Sequence, residues 1–434
     1  MNFWREEFTQ QEISYVLEQI KAFRIFSESG QVSLNGAGDI DMWRAFLVSA
    51  ANFDVRTNAL KSKILRDALF SPDLHQDFSE ADFRKVVYKL RDQLEKRQVE
   101  EFKVVFPIWN RPDFLSGRTK VQDVLINFSP SRTTPLFKNI EKVRLTQQTS
   151  RDFREHFTDR TRDDLKKCSL CIAHVVANNA TDANERASEA IYEVLGLVNI
   201  WKDSGKYSRL SSRLPGKLPV SEVLIAPHTT THKSDGSLTH DGFWYENWVG
   251  GPSISKTDTQ LQTKWAKNYN KLRSKLKKSN WEAECRMAAA SYFKAFSNPN
   301  LEESFLDGWR LFENIAGARD DKIARKISRI AKLFHDGERY EILGKHLAMR
   351  RNLISHGNAI RNDDEEVLAF QMLRFVVFFL VQFLVNPHSF SDKSEFWEFL
   401  DLPASENELK TLAREFSRRQ SIVKKAAQFR SPTE

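Results

Sequence analysis

Residues 349 to 357 read Met-Arg-Arg-Asn-Leu-Ile-Ser-His-Gly, and three side-chain types in this stretch suit phosphate chemistry. Arg351 offers a planar fork of donors that matches the non-bridging oxygens of a phosphate. His356 is the side chain best able to exchange a proton near neutral pH. Asn352 carries a donor and an acceptor that can orient either one. Leu343, Leu347, Arg351 and Ile354 follow at spacings of four, four and three, which sets Arg351 on an apolar helical ridge. A guanidinium there needs a partner, because an unpaired buried charge costs several kcal/mol. Glu313 is a candidate within the same bundle. Met349, Asn352 and His356 share the neighbouring face, with His356 in the last turn, where the helix dipole favours its protonated form. Positions five apart on an ideal helix differ by about 140°, so Arg351 and His356 cannot project in parallel from one chain. A twofold dimer pairing these helices would place two Arg and two His around one groove and would satisfy the guanidinium.

The stretch Met349–Gly357 resembles the R-N-x-x-x-H signature of HEPN domains and is most similar to the Apea-like branch found in bacterial defence proteins. The resemblance covers residues 280–390, about a quarter of the chain, and includes the order of helices before and after the motif. It implies a metal-independent endoribonuclease without a cofactor, acting as a homodimer, often as a toxin or abortive-infection effector. On that pattern Arg351, Asn352 and His356 are the catalytic positions, and Arg350 is an extra basic neighbour on the substrate side. The mechanism it implies has the RNA 2′-hydroxyl attack the adjacent phosphorus, leaving a 2′,3′-cyclic phosphate and a 5′-hydroxyl. His356 would act as general base or acid, Arg351 would stabilise charge on the phosphorane oxygens, and Asn352 would orient the imidazole or the phosphate. DNA lacks the nucleophile and should survive. The competing reading takes Arg-Asn and His356 as ordinary helix-capping residues.

These residues need a scaffold, and proline spacing suggests one. No Pro occurs between Met1 and Ser71, between Leu136 and Leu214, or between Asn300 and Asn386, and the apolar residues in these tracts recur at helical spacing. Ile13, Val16, Leu17, Ile20 and Phe23 form one stripe, and further helices are expected at 41–70 and 81–105. Pro107, Pro112, Pro130 and Pro135 mark an irregular region in which 121–128 is a strand candidate. A second interruption, 203–256, is rich in Ser, Thr, Gly, His and Pro; it holds a strand candidate at 220–226 and long loops anchored by Trp244, Tyr245 and Trp248.

From residue 280 onward five helices are expected: 282–296, 301–315, one defined by Ile323, Ile327, Ile330 and Phe334, then 340–356 closed by Gly357, then 365–385 as the central core helix. A basic terminal helix follows at 409–429. The expected fold is mainly α: a HEPN-like bundle at 280–390 and a larger, mostly helical N-terminal region with a few short strands. The division expected is a sensing or regulatory region 1–260 with a break near 107–135, a basic linker helix 261–279, the bundle, and a basic tail 391–434.

Charge follows this division. Of the net +8, residues 261–434 contribute 30 basic and 23 acidic residues, a net of +7. The densest run, Lys264–Lys278, has seven basic residues and no acid; Lys271, Arg273, Lys275, Lys277 and Lys278 are the candidate substrate-binding residues, and RNA is the polyanion expected. A solvated helix face is the alternative. Beyond RNA and a second copy, the resemblance implies a phage trigger or an antitoxin as partner.

Other signals weigh less. Three Cys in 434 residues make no disulfide framework, and a reducing cytoplasm is expected. Cys168, Cys171 and His174 have zinc-like spacing but fall in an expected helix, and His228, His232, His240 and Asp241 lack a ligand framework, so no metal is expected. Residues 34–39 lack the Lys and later Gly of a phosphate loop. The apolar run 375–385 has 11 residues, half of the ~20 that span a bilayer, so no membrane is expected. A second functional class stays open: a non-catalytic HEPN-like module that binds nucleic acid or a partner chain.

Overall fold

Helices begin in the N-terminal region where the sequence supplies caps. Thr9 and Glu12 form a reciprocal capping box at the start of α1 (Gln10–Phe23), and Ser79 and Asp82 do the same for α4 (Glu80–Glu95). Between them lie the hairpin β1 (Arg24–Phe26) and β2 (Val32–Leu34), then α2 (Ala37–Ala50) and α3 (Asn58–Leu69). The computed structural model describes all residues except 1, 28–30, 35, 36, 97, 98, 204–217, 245–258, 356–361 and 431–434. Ile13, Val16, Leu17 and Ile20 of α1 pack with Leu47, Ile64, Leu65, Phe83 and Val87 into one core, as their spacing requires.

The next elements are β3 (Glu100–Trp109), β4 (Arg118–Val121), β5 (Val124–Asn127), α5 (Pro135–Gln148), α6 (Arg151–His156), α7 (Asp159–Lys167), β6 (Ser169–Ala177) and α8 (Ala180–Asp203). After them come β7 (Leu224–Ile225), β8 (Thr229–His232) and β9 (Leu238–Trp244). A seven-stranded sheet results, in the order β4-β5-β6-β3-β8-β9, with β7 pairing β3 outside that path. The longest ladder is antiparallel, from Glu100 opposite Ala177 to Ile108 opposite Ser169.

This sheet corrects the expectation of a mostly helical N-terminal region with a few short strands. The helix expected over 81–105 stops at Glu95, and Pro107 lies inside a strand, its carbonyl accepting from Ala226 N at 2.8 Å. Cys171 and His174 lie in a strand where a helix was expected. From Phe102 to Trp109, β3 is buried on both faces, so its apolar residues run on without alternation, and such a run cannot be told from a helix segment by period. The strand candidate at 121–128 is a hairpin, and the loop around His228 and His232 is largely strand as well. Tyr245 and Trp248 lie outside the described residues.

The C-terminal elements are α9 (Thr259–Leu276), α10 (Glu282–Phe296), α11 (Leu301–Ile315), α12 (Ile323–Ala331), α13 (Gly337–Ser355), α14 (Asn362–Val385), α15 (Lys393–Asp401) and α16 (Glu406–Arg430). The boundaries of α10 and α11 match those expected, since Asn300 caps α11 and Pro299 precedes it. Phe370, Phe375 and Phe379 of α14 are fully buried, as are Phe296, Phe305 and Phe312. Helix α14 packs against α9, α10, α11, α12 and α13, the contacts of a core helix. Among the described residues it is the one helix apolar and long enough to cross a membrane, over Glu365–Val385.

The chain falls into two compact units that it enters more than once. One comprises Met1–Trp109, Leu115–Ile191 and Ile225–Glu246; the other comprises Asn110–Phe114, Tyr192–Leu224 and Asn247–Glu434. The molecule is mostly helical, with the antiparallel sheet in the first unit.

Candidate functional site

Helix α13 is held to the bundle by few side chains. Gly344 and Leu347 are its buried residues. A Cβ at Gly344 would lie 2.5 Å from Ile327 Cγ2 of α12 and 2.9 Å from the Phe375 ring of α14, so the missing side chain is what lets three helices meet. Nearer the start of α13, Tyr340 stacks on Phe334 with centroids 3.4 Å apart, and its hydroxyl accepts from Arg374 Nε at 3.3 Å.

The far end of α13 carries the motif residues. Arg350 and Arg351 are half-buried and Asn352 is exposed. Arg351 Nη1 donates to Asn352 Oδ1 at 3.3 Å, so the structure brings these two side chains together. The guanidinium is not buried within one chain, which corrects the expectation from the apolar ridge: the ridge ends at the last turn, where solvent reaches it. Glu313 is not its partner. Lys326 Nζ donates to the Glu313 backbone carbonyl at 3.0 Å, and the Glu313 carboxylate acts on that same ammonium. His356 and Gly357 lie outside the described residues.

Of the basic residues expected on a linker helix 261–279, those up to Lys275 lie on α9, which ends at Leu276, and Lys277 and Lys278 fall in the turn after it. Tyr269, Leu272 and Leu276 form the buried side of α9, while Lys271, Lys275, Lys277 and Lys278 are exposed. Arg273 is half-buried, and its charge acts on Glu193 of α8 together with that of Arg286, whose Nη1 lies 2.7 Å from Glu193 Oε2. Burial pushes the Glu193 carboxyl up, against the pull of these two cations. Helix α9 packs on α10 and α14, and α13 on α12 and α14.

Sequence reading did not anticipate the network at α12. Arg329 is buried and donates to Asp321, to Asp401 of α15 and to the Ala316 carbonyl, at 2.7–2.9 Å. Arg325 reaches the same Asp401. Beside this network a cleft of about 540 Å³ is lined by Glu313, Arg319, Asp321, Lys326, Lys393 and Trp397 among others. Helix α15 was read as part of the basic tail, and its Phe396, Trp397 and Leu400 are buried.

The histidines set aside in the sequence form a buried polar core in the first unit. His228 is fully buried at φ +76°; its Nε2 donates to Gln147 Oε1 and its Nδ1 accepts from Gln148 Nε2, both at 3.0 Å. His232 Nδ1 donates to the Gly236 carbonyl at 2.9 Å, and its Nε2 accepts from Thr230 Oγ1 at 2.8 Å. Arg144 Nη1 donates to the His228 carbonyl and to Thr230 Oγ1, each at 2.6 Å. Burial, together with the Arg144 charge, drives the imidazole pKa values down to about 2 for His228 and about 4 for His232. Every ring nitrogen is occupied, so neither imidazole has a lone pair for a metal. The side chains of His240 and Asp241 are outside the described residues.

Cys168 follows the end of α7, and Cys171 and His174 are arranged by a strand and not by the helix expected. Positions three apart on a strand face opposite sides of the sheet, so Cys171 and His174 diverge. His174 Nδ1 instead lies 3.0 Å from Glu101 Oε1, which also takes Lys103 Nζ at 2.9 Å. Burial raises the Cys168 thiol to about 12. Among the described residues no group of three His, Cys, Asp or Glu could hold a metal ion. No family model, no curated protein and no solved structure matches this chain.

Proposed function

We propose that this chain is a HEPN-type, metal-independent endoribonuclease that works as a homodimer. The observation that carries the reading is the pairing of Arg351 with Asn352 at the accessible end of α13, four residues before His356 in sequence. A fork of donors, an amide and an imidazole within six residues are a minimal set for transesterification. In the proposed step His356 removes the 2′-hydroxyl proton, the 2′-oxygen bonds to phosphorus, and the phosphorus–O5′ bond breaks with a proton delivered to O5′. Arg351 neutralises the equatorial oxygens.

The outer face of α13 supports the dimer. Ile342, Met349 and Leu353 recur at spacings of seven and four and are exposed, Ile342 by 62% and Met349 by 54%. An apolar stripe beside the motif is what a second copy of the helix would cover. Arg350, the α9 cations Lys271, Arg273 and Lys275, and Lys277 and Lys278 in the turn after α9 would hold the RNA backbone. By family analogy alone, the first 260 residues restrain the nuclease until a trigger such as phage infection arrives, or a cognate antitoxin masks it.

A non-catalytic nucleic-acid binder is the second reading, and the exposed lysines of α9 favour it. Incubation of the full chain with RNA in the presence of a chelator separates the two. The nuclease reading expects products ending in 2′,3′-cyclic phosphate and 5′-hydroxyl, absent with His356→Ala while RNA binding persists. It fails if intact, dimeric protein leaves RNA uncut and overexpression slows growth no more than His356→Ala does.

A further inference from the structure

The cleft beside α12 is lined by charges that do not cancel. It lies between the α11–α12 connection and α15, wholly within the second unit. Lys326, only 3% exposed, lines it. An ammonium has three donors; that of Lys326 gives one to the Glu313 carbonyl at 3.0 Å, and among the described residues no carboxylate forms an ion pair with it. Burial presses its pKa down against the pull of Glu313 and Asp321, the mark of a buried charge short of partners. Arg319 is exposed on the same wall and has no hydrogen bond or ion pair to any described residue. Gly317 keeps the wall open: a Cβ there would lie 2.5 Å from Arg329 Nη1, 2.6 Å from Asp321 Oδ2 and 3.1 Å from Lys326 Cε. The start of α12 adds to the positive field, since its N-cap Lys322 makes no side-chain bond to the first turn, and Ile323 of that turn lines the cleft. Asp321 is held by Arg325 and Arg329, and Lys393 by Glu284 at 3.0 Å. Lys326 and Arg319 are then opposed by Glu313 alone.

We propose that this cleft binds a small organic phosphate, its phosphoryl oxygens on Lys326, Arg319 and the uncapped start of α12, and its body against Trp397 and Ile323. An ammonium, a guanidinium and a helix N-terminus are the donors a phosphate takes. With Glu313 counted, the wall carries one net cation and about half a charge from the helix end. A phosphate monoester at about −1.5 to −2 balances that, whereas a carboxylate falls short. A volume of about 540 Å³ is that of a small-molecule site, too confined for a polynucleotide or a partner helix. Trp397 offers a fixed apolar wall, because its Nε1 donates to the Ile315 carbonyl at 2.9 Å. A metal ion is the wrong occupant: Asp321 Oδ1 already accepts from Arg325, and Oδ2 from Arg329 and the Ala318 N–H. An occupied cleft would brace α15 against the start of α12. This proposal is independent of RNA cleavage.

Calorimetric titration of the full chain with glucose 6-phosphate, gluconate and glucose is the test, with inorganic phosphate as the head group alone. Glucose 6-phosphate should bind with a Kd of about 1 mM or lower. Inorganic phosphate should bind more weakly, gluconate at least about ten-fold more weakly than the phosphate ester, and glucose not at all. Lys326→Met should weaken the ester about a hundred-fold and Arg319→Ala about ten-fold, the range of one hydrogen bond to a charged group. Arg319 is exposed, so Arg319→Ala should keep the parent's urea midpoint and decides the matter even where Lys326→Met fails to fold. The proposal is overturned if neither phosphate binds at concentrations up to about 10 mM, or if gluconate binds as tightly as the ester. It is equally overturned if folded Arg319→Ala binds the ester as well as the parent does.

Discussion

The Arg351 guanidinium donates through Nη1 to Oδ1 of Asn352, its neighbour in sequence, at 3.3 Å. One long bond holds the fork loosely, which leaves its other donors for a phosphate. Arg351→Lys keeps the charge and loses the planar geometry, so RNA cleavage should fall by about 10²-fold or more. His356→Ala should cost about 10²–10⁴-fold, the usual worth of a general acid or base. Half-buried Arg351 adds little to the core, and the urea midpoint of Arg351→Lys should match the parent within about 0.5 kcal/mol. Turnover on a labelled RNA, with melts in parallel, checks this; a Lys variant that cuts as fast as the parent removes Arg351 from the site.

Met349 stands next to that pair and is more than half exposed. A charge placed there would be buried unpaired if a second copy covers the stripe, and such a charge costs several kcal/mol. Met349→Asp should therefore shift the mass measured by light scattering from dimer toward monomer. Cleavage should fall with the dimer fraction and recover at high protein concentration. A dimer indifferent to this change would be built through another surface.

Gly344 lets α13 approach α12 and α14. In Gly344→Ala the new methyl would overlap Ile327 and Phe375, and overpacking of this kind costs about 1–3 kcal/mol. The bundle should lose that much stability in urea, and RNA cleavage should drop more than binding, because a helix pushed outward displaces Arg351. An unchanged melting curve would mean that α13 rides more loosely on the bundle than this contact implies.

What could be read in advance followed from periodicity. Helices α10 and α11 show their apolar positions at three and four, bounded by Asn300 and Pro299, and both ends were legible. Strand β3 was not, because a strand buried on both faces has no alternation to read. In β8 all four residues, Thr229 to His232, are buried, so a Thr-rich run that resembles a surface loop is sheet interior. Arg351 and Asn352 stand out by type and spacing and the structure adds the bond between them, whereas the Arg329–Asp401 link joins residues 72 apart, and nothing in either local sequence marks it.

That link should dominate the acid stability of the bundle. Burial pushes the Asp401 carboxyl up, but hydrogen bonds from Arg329 and Arg325 outweigh it and hold the group below the ordinary carboxylate range; Asp321 behaves likewise through Arg329. A depressed carboxyl pKa adds stability that is complete above the unfolded value of about 4 and drains as pH falls through the folded value. Removing the buried cation leaves Asp321 and Asp401 paired only through the exposed Arg325, so Arg329→Met should cost about 3 kcal/mol at pH 7. The gap between variant and parent should narrow below about pH 4. Urea unfolding at the two pH values tests it, and a gap independent of pH would rule out the carboxylates as its source.

The first unit should respond to acid in a different window. His228 and His232 are held neutral by burial, with pKa values near 2 and near 4. As pH falls through about 6.5, the unfolded chain binds protons that the folded chain refuses, so the stability these groups confer is complete above that value and is lost below it. Each imidazole can contribute a slope of up to about 1.4 kcal/mol per pH unit below pH 6.5, well before the carboxylates of α12 and α15 titrate. Replacing His232 with Asn, which can keep the bond to the Gly236 carbonyl, should lower stability at pH 7.5 yet flatten the decline between pH 6.5 and 5. Urea midpoints of the first unit's transition across that range measure the slope. If His232→Asn declines as steeply as the parent, the imidazole is not the group that titrates.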